Sequence, residues 1–367
     1  MKNVIYWVAD RRFLALAIGN ARRVAPTVRP GTTLHIFYED ENAQAFETDG
    51  IKVHANALRP FLGDDLPAYG WPRIVWGHLF ALHQFDADVE RVLYLDSDAF
   101  PTRPINAIFD VDLEGKDIAA VADAGFIHPD LGYAKTDFEE HGRKAGVDCG
   151  HYFNAGMVMF DRAAAARIDF IREVSDYIRV YGPNATYSNQ DFLNHLFRGH
   201  WQELSPRWNF QAGALLGYGF EHVVRPNIIH FTDSHRPWHG KSFIHDPVHA
   251  RRALALIDNE FRAEFGLRPR NASVLGDLGK DLIAARNGLM VALGIRYRRV
   301  QRQWDMWHQR RDICWDYLET ALRDGRFADV RQGISRFDVS TIPEKRRIEP
   351  RWHRTGYTVP SALEYEL

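Results

Sequence analysis

The sequence predicts an α/β protein: a mostly parallel sheet flanked by helices, then a mainly helical C-terminal region. Three observations predict it. Strand-like and helix-like segments alternate through roughly the first 120 residues. A buried-looking apolar run, Val92–Leu95, ends in a pair of aspartates, Asp96 and Asp98. Near residue 246 the pattern turns helical and rich in arginine.

Asn3–Ala9 reads as the first strand and Leu14–Val24 as the helix after it. Leu34–Tyr38 and Ile51–Val53 are further strands, and a helix covers Arg73–Gln84. Val92–Leu95 and Ile118–Val121 continue the β-α-β rhythm. The stretches 152–161, YFNAGMVMFD, and 227–232, NIIHFT, add strands, with a helix over Asn189–Phe197 between them. Leu293, Tyr297, Val300, Trp304 and Trp307 recur at steps of four and three, one stripe of a helix. The expected division is residues 1–245 as one domain and 246–367 as a C-terminal region.

With 367 residues, 46% hydrophobic and 13% aromatic, the chain can build a large core. Its net charge of -2 gives no general attraction to nucleic acid. Two cysteines, Cys149 and Cys314, cannot form a disulfide framework or a cysteine-rich zinc site, which fits a reducing compartment. The first ten residues read as a strand rather than a signal peptide, and no apolar run reaches the roughly 20 residues of a membrane span. A cytoplasmic protein is expected, with attachment to the inner membrane surface as an option.

Asp96-Ser97-Asp98 carries the chemistry. In open parallel sheets ligands bind beyond the carboxyl ends of the strands. On extended backbone, residues i and i+2 share a face, so both carboxylates can converge on one cation. Hard oxygen donors suit magnesium or manganese. Asp86-Ala87-Asp88 and Asp110-Val111-Asp112 have the same pattern, but neither follows a long apolar strand.

The segments VLYLDSDAF, YFNAGMVMFD, NQDFLNHLF, LSPRWNFQ and HFTDSHRPW occur in this order. Together they resemble glycosyltransferase family 8, retaining nucleotide-sugar transferases with the Rossmann-like GT-A fold, over roughly residues 3 to 240. The resemblance implies that Asp96, Asp98 and His230 share one Mn2+ (or Mg2+) and that a UDP-sugar is the donor. It places Val8, Ala9, Asp10 and Phe13 at the base and ribose, Ser97 within the metal strand end, and Asp123 near the sugar. Asn154, Ala155 and Gly156 stand in the F-N-A-G strand, where Asn154 offers a donor and an acceptor to sugar hydroxyls and Gly156 allows close approach. Asn189, Gln190 and Asp191 stand at the reacting centre, with Asn189 replacing an acid. Without the resemblance, Asn189 reads as a helix N-cap. Arg73 or His78 lies in the helix that carries a basic residue toward the donor. Arg236 replaces a lysine and is expected on the diphosphate, while Asp233 replaces a glycine. His235 and His239 are four apart, but Pro237 between them disrupts any helix, so a zinc pair is rejected.

The implied reaction moves a sugar to a hydroxyl of a glycan or lipid-linked glycan acceptor, with anomeric configuration retained. Two alternatives stay open. One is a haloacid-dehalogenase-type phosphatase with Asp96 as nucleophile and 276–281, GDLGKD, as its distal motif. The other is a non-catalytic nucleotide-sugar binder. Residues 281 to 311 hold seven arginines and two acids among aromatics. That segment either lies on an anionic membrane surface or docks on the catalytic domain.

Overall fold

The computed structural model describes residues 2–63, 66, 72–131, 137–215, 220–232, 282, 286, 289–290, 293 and 298–341. Its strands are β1 (Lys2–Asp10), β2 (Thr32–Glu39), β3 (Phe46–Thr48), β4 (Ile51–Ala55), β5 (Val89–Leu95), β6 (Ala99–Pro101), β7 (Ile118–Ala122), β8 (Phe153–Asp161), β9 (Trp201–Leu204), β10 (Phe210–Gln211) and β11 (Ile228–His230). Among the described residues, eight form one sheet in the order β3-β4-β2-β1-β5-β8-β7-β9, and β10-β11-β6 form a second. In the large sheet β1 is parallel to both β2 and β5, β2 to β4 and β7 to β9, while β8 runs antiparallel to β5 and β7. Within a mostly parallel sheet, β8 and the edge strand β3, antiparallel to β4, are the inverted strands.

Alternation along the central strands builds a core on each face of the sheet. Val4, Tyr6, Val92, Tyr94, Val158 and Phe160 pack on one side. Ile5, Trp7, Leu93, Leu95, Met157 and Met159 pack on the other, as a period of two requires. Helix α1 (Leu14–Val24) covers the second face with Leu14, Ala17, Ile18 and Ala21. The expected helix over 73–84 is three short pieces: a 3-10 turn at Arg73–Trp76, an α-turn α2 at Gly77–Ala81, and a second 3-10 turn at Leu82–Gln84. Gly77 marks the first junction. A Cβ there would lie 3.0 Å from Leu58 and 3.1 Å from Val8, so the glycine lets this segment approach β1.

NIIHFT supplies the expected strand, β11. It does not extend the large sheet. β11 pairs antiparallel with β6, His230 opposite Ala99, and the Phe231 N–H donates to the Asp98 carbonyl at 3.0 Å. This short pairing carries a distant histidine to the aspartates.

The C-terminal half of the long helix Arg298–Arg323 docks on the α/β core. Cys314, Trp315, Leu318 and Ala321 pack against Phe210, Leu215, Phe220 and Val224. Downstream, the buried Asp329 accepts from the Ser205 N–H at 2.8 Å, Ser205 Oγ at 2.6 Å and Trp208 Nε1 at 2.9 Å. Asp329→Ala would leave these donors buried without an acceptor, at about 1–3 kcal/mol each. The melting temperature of that variant should fall by several degrees in a thermal shift assay. Of the expected stripe, Leu293 is exposed, and the helix backbone spans Val300, Trp304 and Trp307. Tyr297 and the boundary near 245 lie outside the described residues.

A histidine pair sits between β2 and β4. His35 Nδ1 and His54 Nε2 are 2.9 Å apart; the two rings stack on each other, Phe37 stacks on His54, and Phe85 meets His35 edge-on. Burial, then the charges of His54 and Lys52, pushes His35 down to about 4, and burial also lowers His54. The unfolded chain takes up these protons near the ordinary histidine value of about 6.5. Between roughly pH 6.5 and 4 the unfolded state therefore binds more protons, and stability is lost as the pH drops. The urea midpoint should be lower at pH 5 than at pH 7, and His35→Gln should flatten that difference.

Candidate active site

The site lies beyond the carboxyl ends of β1 and β5, in a cleft of about 510 Å³. Asp96 and Asp98 leave β5 on one side, and β11 brings His230 to the other. His230 Nε2 lies 3.6 Å from Asp96 Oδ2 and 3.4 Å from Asp98 Oδ1. One donor atom from each residue falls within 4.8 Å of the others. Two donors each about 2.1 Å from a cation lie roughly 3.0–3.5 Å apart at angles near 90–110°. The spacing therefore fits one divalent ion, and two carboxylates with an imidazole suit a borderline ion such as manganese. Tyr94 Oη donates to Asp96 Oδ1. Burial, with Asp96 next, holds the Tyr94 hydroxyl well above its usual range, so it stays a donor.

Gly156 makes the convergence possible. A Cβ there would lie 2.1 Å from His230 Cε1, 2.6 Å from its Nδ1 and 2.9 Å from Asp96 Oδ2. The close approach expected of this glycine is made by the protein's own imidazole. Asn154, Ala155 and Gly156 sit where β8 bulges. Ala120 pairs with Val158 but the next residue, Val121, pairs with Asn154, and the slack turns this stretch into the cleft.

The cleft wall is an amide network. Asn154 Nδ2 and Gln190 Nε2 both donate to Asp123 Oδ2 at 3.0 Å, and the Gly125 N–H donates to Oδ1 at 2.8 Å. Burial raises the Asp123 carboxyl above its ordinary value, while these donors and the nearby His230 oppose the shift. The Ala155 N–H donates to Gln190 Oε1 at 3.0 Å, which fixes that amide's orientation.

Of the residues expected from sequence, Val8, Asp10, Phe13, Asp96, Ser97, Asp98, Asp123, Asn154, Ala155, Gly156, Asn189, Gln190 and His230 line the cleft. Asp10 is gripped by Arg12, whose Nε and Nη2 lie 2.9 and 2.6 Å from Oδ2. Ala9 packs in the core beneath. Arg73 is not on the lining; its Nε donates to the Leu66 carbonyl at 3.0 Å. His78 is fully buried, donates Nδ1 to the Val75 carbonyl at 2.7 Å, and stacks on Tyr94 at 4.4 Å. Burial pushes it down to about 4, so it brings no positive charge to the donor.

Asp191 is a correction. It is expected at the reacting centre but has no exposed surface. Oδ1 accepts from His141 Nε2 at 2.9 Å and from Tyr152 Oη at 2.6 Å, and Oδ2 accepts from the Tyr187 N–H at 2.9 Å. It braces the scaffold beneath the cleft. Nor is Asn189 the N-cap of its helix (Asn189–Leu196). That position is Ser188, at φ 51° and ψ -119°, a region costly for a side-chain-bearing residue. This turn leaves Asn189 and Gln190 on the cleft side. Arg236, Asp233, His235, His239 and the 276–281 segment lie outside the described residues.

Sequence reasoning missed Phe126 and Tyr187, which wall the cleft, and Asn209, which stands behind His230 Nδ1 at 3.0 Å. Nothing in the segment LSPRWNFQ, itself half polar, sets Asn209 apart.

A Rossmann-like sheet with an acid pair at a central strand end and a histidine carried in from a second sheet defines a GT-A-type domain. The galactosyltransferase LgtC, solved in complex with donor and acceptor sugar analogs, superposes with a TM-score of 0.53 at 22% identity, covering 68% of this chain and 94% of that one. Residues 69–242, just under half of the chain, match the model of glycosyl transferase family 8. General stress protein A of Bacillus subtilis (strain 168) is 28% identical over 171 residues, 43% of this chain and 56% of that protein. Glycosyltransferase GlyF of Streptococcus pneumoniae serotype 4 is 27% identical over 164 residues, 43% of this chain and 36% of that one. The chain thus spans from about a third to just over half of the length of these curated relatives.

Proposed function

We propose that the chain is a retaining, divalent-metal-dependent glycosyltransferase that moves a sugar from a UDP-sugar to a hydroxyl of a glycan acceptor. The observation that carries this reading is the Asp96–Asp98–His230 cluster at the floor of an amide-walled cleft. Asp96, Asp98 and His230 would hold Mn2+ (or Mg2+), and that ion supplies positive charge for the donor's diphosphate. The chain's own residues do the rest. Val8, Asp10 and Phe13 form the turn that receives base and ribose, with Phe13 offering a ring for stacking. Asn154, Asn189 and Gln190 present neutral amides to sugar hydroxyls. Arg236 is assigned to the diphosphate for its permanent charge.

With Asp191 sequestered, the carboxylate left on the sugar side is Asp123, already engaged by three donors. That favours a front-face transfer in which the departing phosphate oxygen takes the acceptor proton. Charge stabilisation is then the main catalytic term. The phosphatase alternative gives His230 and the Asn154 network no task.

The exposed Leu282, Leu289 and Leu293, with the arginines of 281–311, support attachment to an anionic membrane face and a role in surface polysaccharide or lipopolysaccharide assembly. Among the described residues no helix is long and apolar enough to cross a membrane. Salt-sensitive binding to anionic liposomes is the expected result, and its absence removes the attachment.

The main test incubates the full chain with a panel of UDP-sugars and Mn2+ and follows UDP release. One donor should be hydrolysed slowly, and chelation should stop it. Manganese-dependent UDP binding without turnover across donors and acceptors would mean a binder. Hydrolysis of a simple phosphate ester that disappears in Asp96→Asn would mean a phosphatase.

A further inference from the structure

We propose that Asn209 is a positioning residue that fixes His230 as the Nδ1–H tautomer, so that an unprotonated Nε2 faces Asp96 and Asp98. The inference deepens the reading above and rests on it only in taking Nε2 as a cation ligand.

The direction of each hydrogen bond is set by a backbone N–H, which can only donate. The Gly156 N–H donates to Asn154 Oδ1 at 3.0 Å, so the carbonyl end of Asn154 is known. Its Nδ2 then points the other way, to Asp123 Oδ2 at 3.0 Å. Asn154 Oδ1 also meets the Asn209 amide at 2.9 Å. An acceptor there requires Asn209 to present its NH2. Asn209 Oδ1 is thereby turned to His230 Nδ1 at 3.0 Å, and a carbonyl oxygen can only accept. Nδ1 must carry the proton. In the neutral ring Nε2 is then a lone pair, the form a metal ligand needs. Asn209 is fully buried and Asn154, Asp123 and His230 nearly so. Water has little access to re-pair these groups, so the orientation passes along the network without slack. Outer-shell partners of this kind typically change metal affinity or activity about 10–100-fold.

The test reads the tautomer directly. Long-range proton–nitrogen spectra of 15N-histidine-labelled full chain, metal-free at pH 8, are compared with those of His230→Gln to assign the ring. The expected result is a protonated Nδ1 and an unprotonated Nε2. A wild-type ring protonated at Nε2 overturns the proposal whatever the variants do. In Asn209→Leu the ring should shift toward the Nε2–H form. Mn2+ affinity, read from the free-ion EPR signal with UDP present, should fall about 10–100-fold, with turnover at saturating Mn2+ largely recovered. Asn209→Asp keeps an acceptor for Nδ1–H and should retain the tautomer, although it sets a carboxylate against Asn154 Oδ1. A merely structural role predicts no such rescue. Asn209→Leu with unchanged tautomer and Mn2+ affinity overturns the proposal. If the wild type takes up no Mn2+, the cation reading fails, while the metal-free spectrum still decides the tautomer.

Discussion

Asp98→Asn should reduce UDP release from the preferred donor by on the order of 10³-fold at saturating Mn2+, because several kcal/mol of charge stabilisation go with the carboxylate. The substitution is nearly isosteric, and the local backbone bond, Phe231 N–H to the Asp98 carbonyl, is untouched. Folding should therefore survive. The side chain is only 6% exposed and faces His230 at 3.4 Å, so the lost charge falls directly on the Asp96–Asp98–His230 cluster. Removing a negative charge beside Asp96 should leave the metal-free protein as stable as wild type or slightly more so. The second readout is linkage. A ligand that binds only the folded state at about 100 times its Kd stabilises by about 2.7 kcal/mol. Mn2+ with UDP should accordingly raise the melting temperature of the wild type and leave that of Asp98→Asn nearly unchanged. Turnover within tenfold of wild type, with the thermal shift intact, would show that the acid pair does not hold the ion.

The parts of this protein legible from sequence are those that local physics determines. β1 and β5 announce themselves as apolar runs, and α1 as a periodic one, because each buries its own face. Asp96 and Asp98 were separable from the other two Asp-x-Asp pairs by position alone, since only they end a buried strand. His230 was legible because it ends NIIHF, but its pairing was not. β6 and β11 are three residues each, and strands so short exist only through partners far along the chain. Gln190 and Asp191 show a sharper limit. Adjacent residues on a helix point about 100° apart, so Asn189, Gln190 and Asp191 in a row cannot all face the cleft. Which of them turns away depends on His141 and Tyr152, both far along the chain, and on the turn at Tyr187 just before the helix. Asn209 was invisible for the same reason: a buried amide acquires meaning only from the groups around it.

Gly156→Ala should be the most informative single methyl in the molecule. Gly156 is not among the glycines at positive φ, so alanine meets no backbone penalty there and any effect must come from contact. The added Cβ would lie 2.1 Å from His230 Cε1, inside any tolerable separation, and β8 is a buried central strand with little freedom to withdraw. The imidazole must move. Overpacking of this kind costs about 1–3 kcal/mol, and a displaced ring loses both its Asn209 bond and its alignment with Asp96 and Asp98. Mn2+ affinity and UDP release should each fall by at least about 100-fold, the upper end expected when a ligand's support is lost. Gly199→Ala is the control. It sits at φ +73° with nothing within 4 Å, so it should cost some stability and no cation binding. A double-mutant cycle isolates the contact. In a His230→Ala background the imidazole contacts are gone and only the milder one with Asp96 Oδ2 at 2.9 Å is left, so Gly156→Ala should destabilise markedly less than in wild type. An equal cost in both backgrounds would mean that the methyl strains β8 itself and that the glycine is not there to admit the histidine.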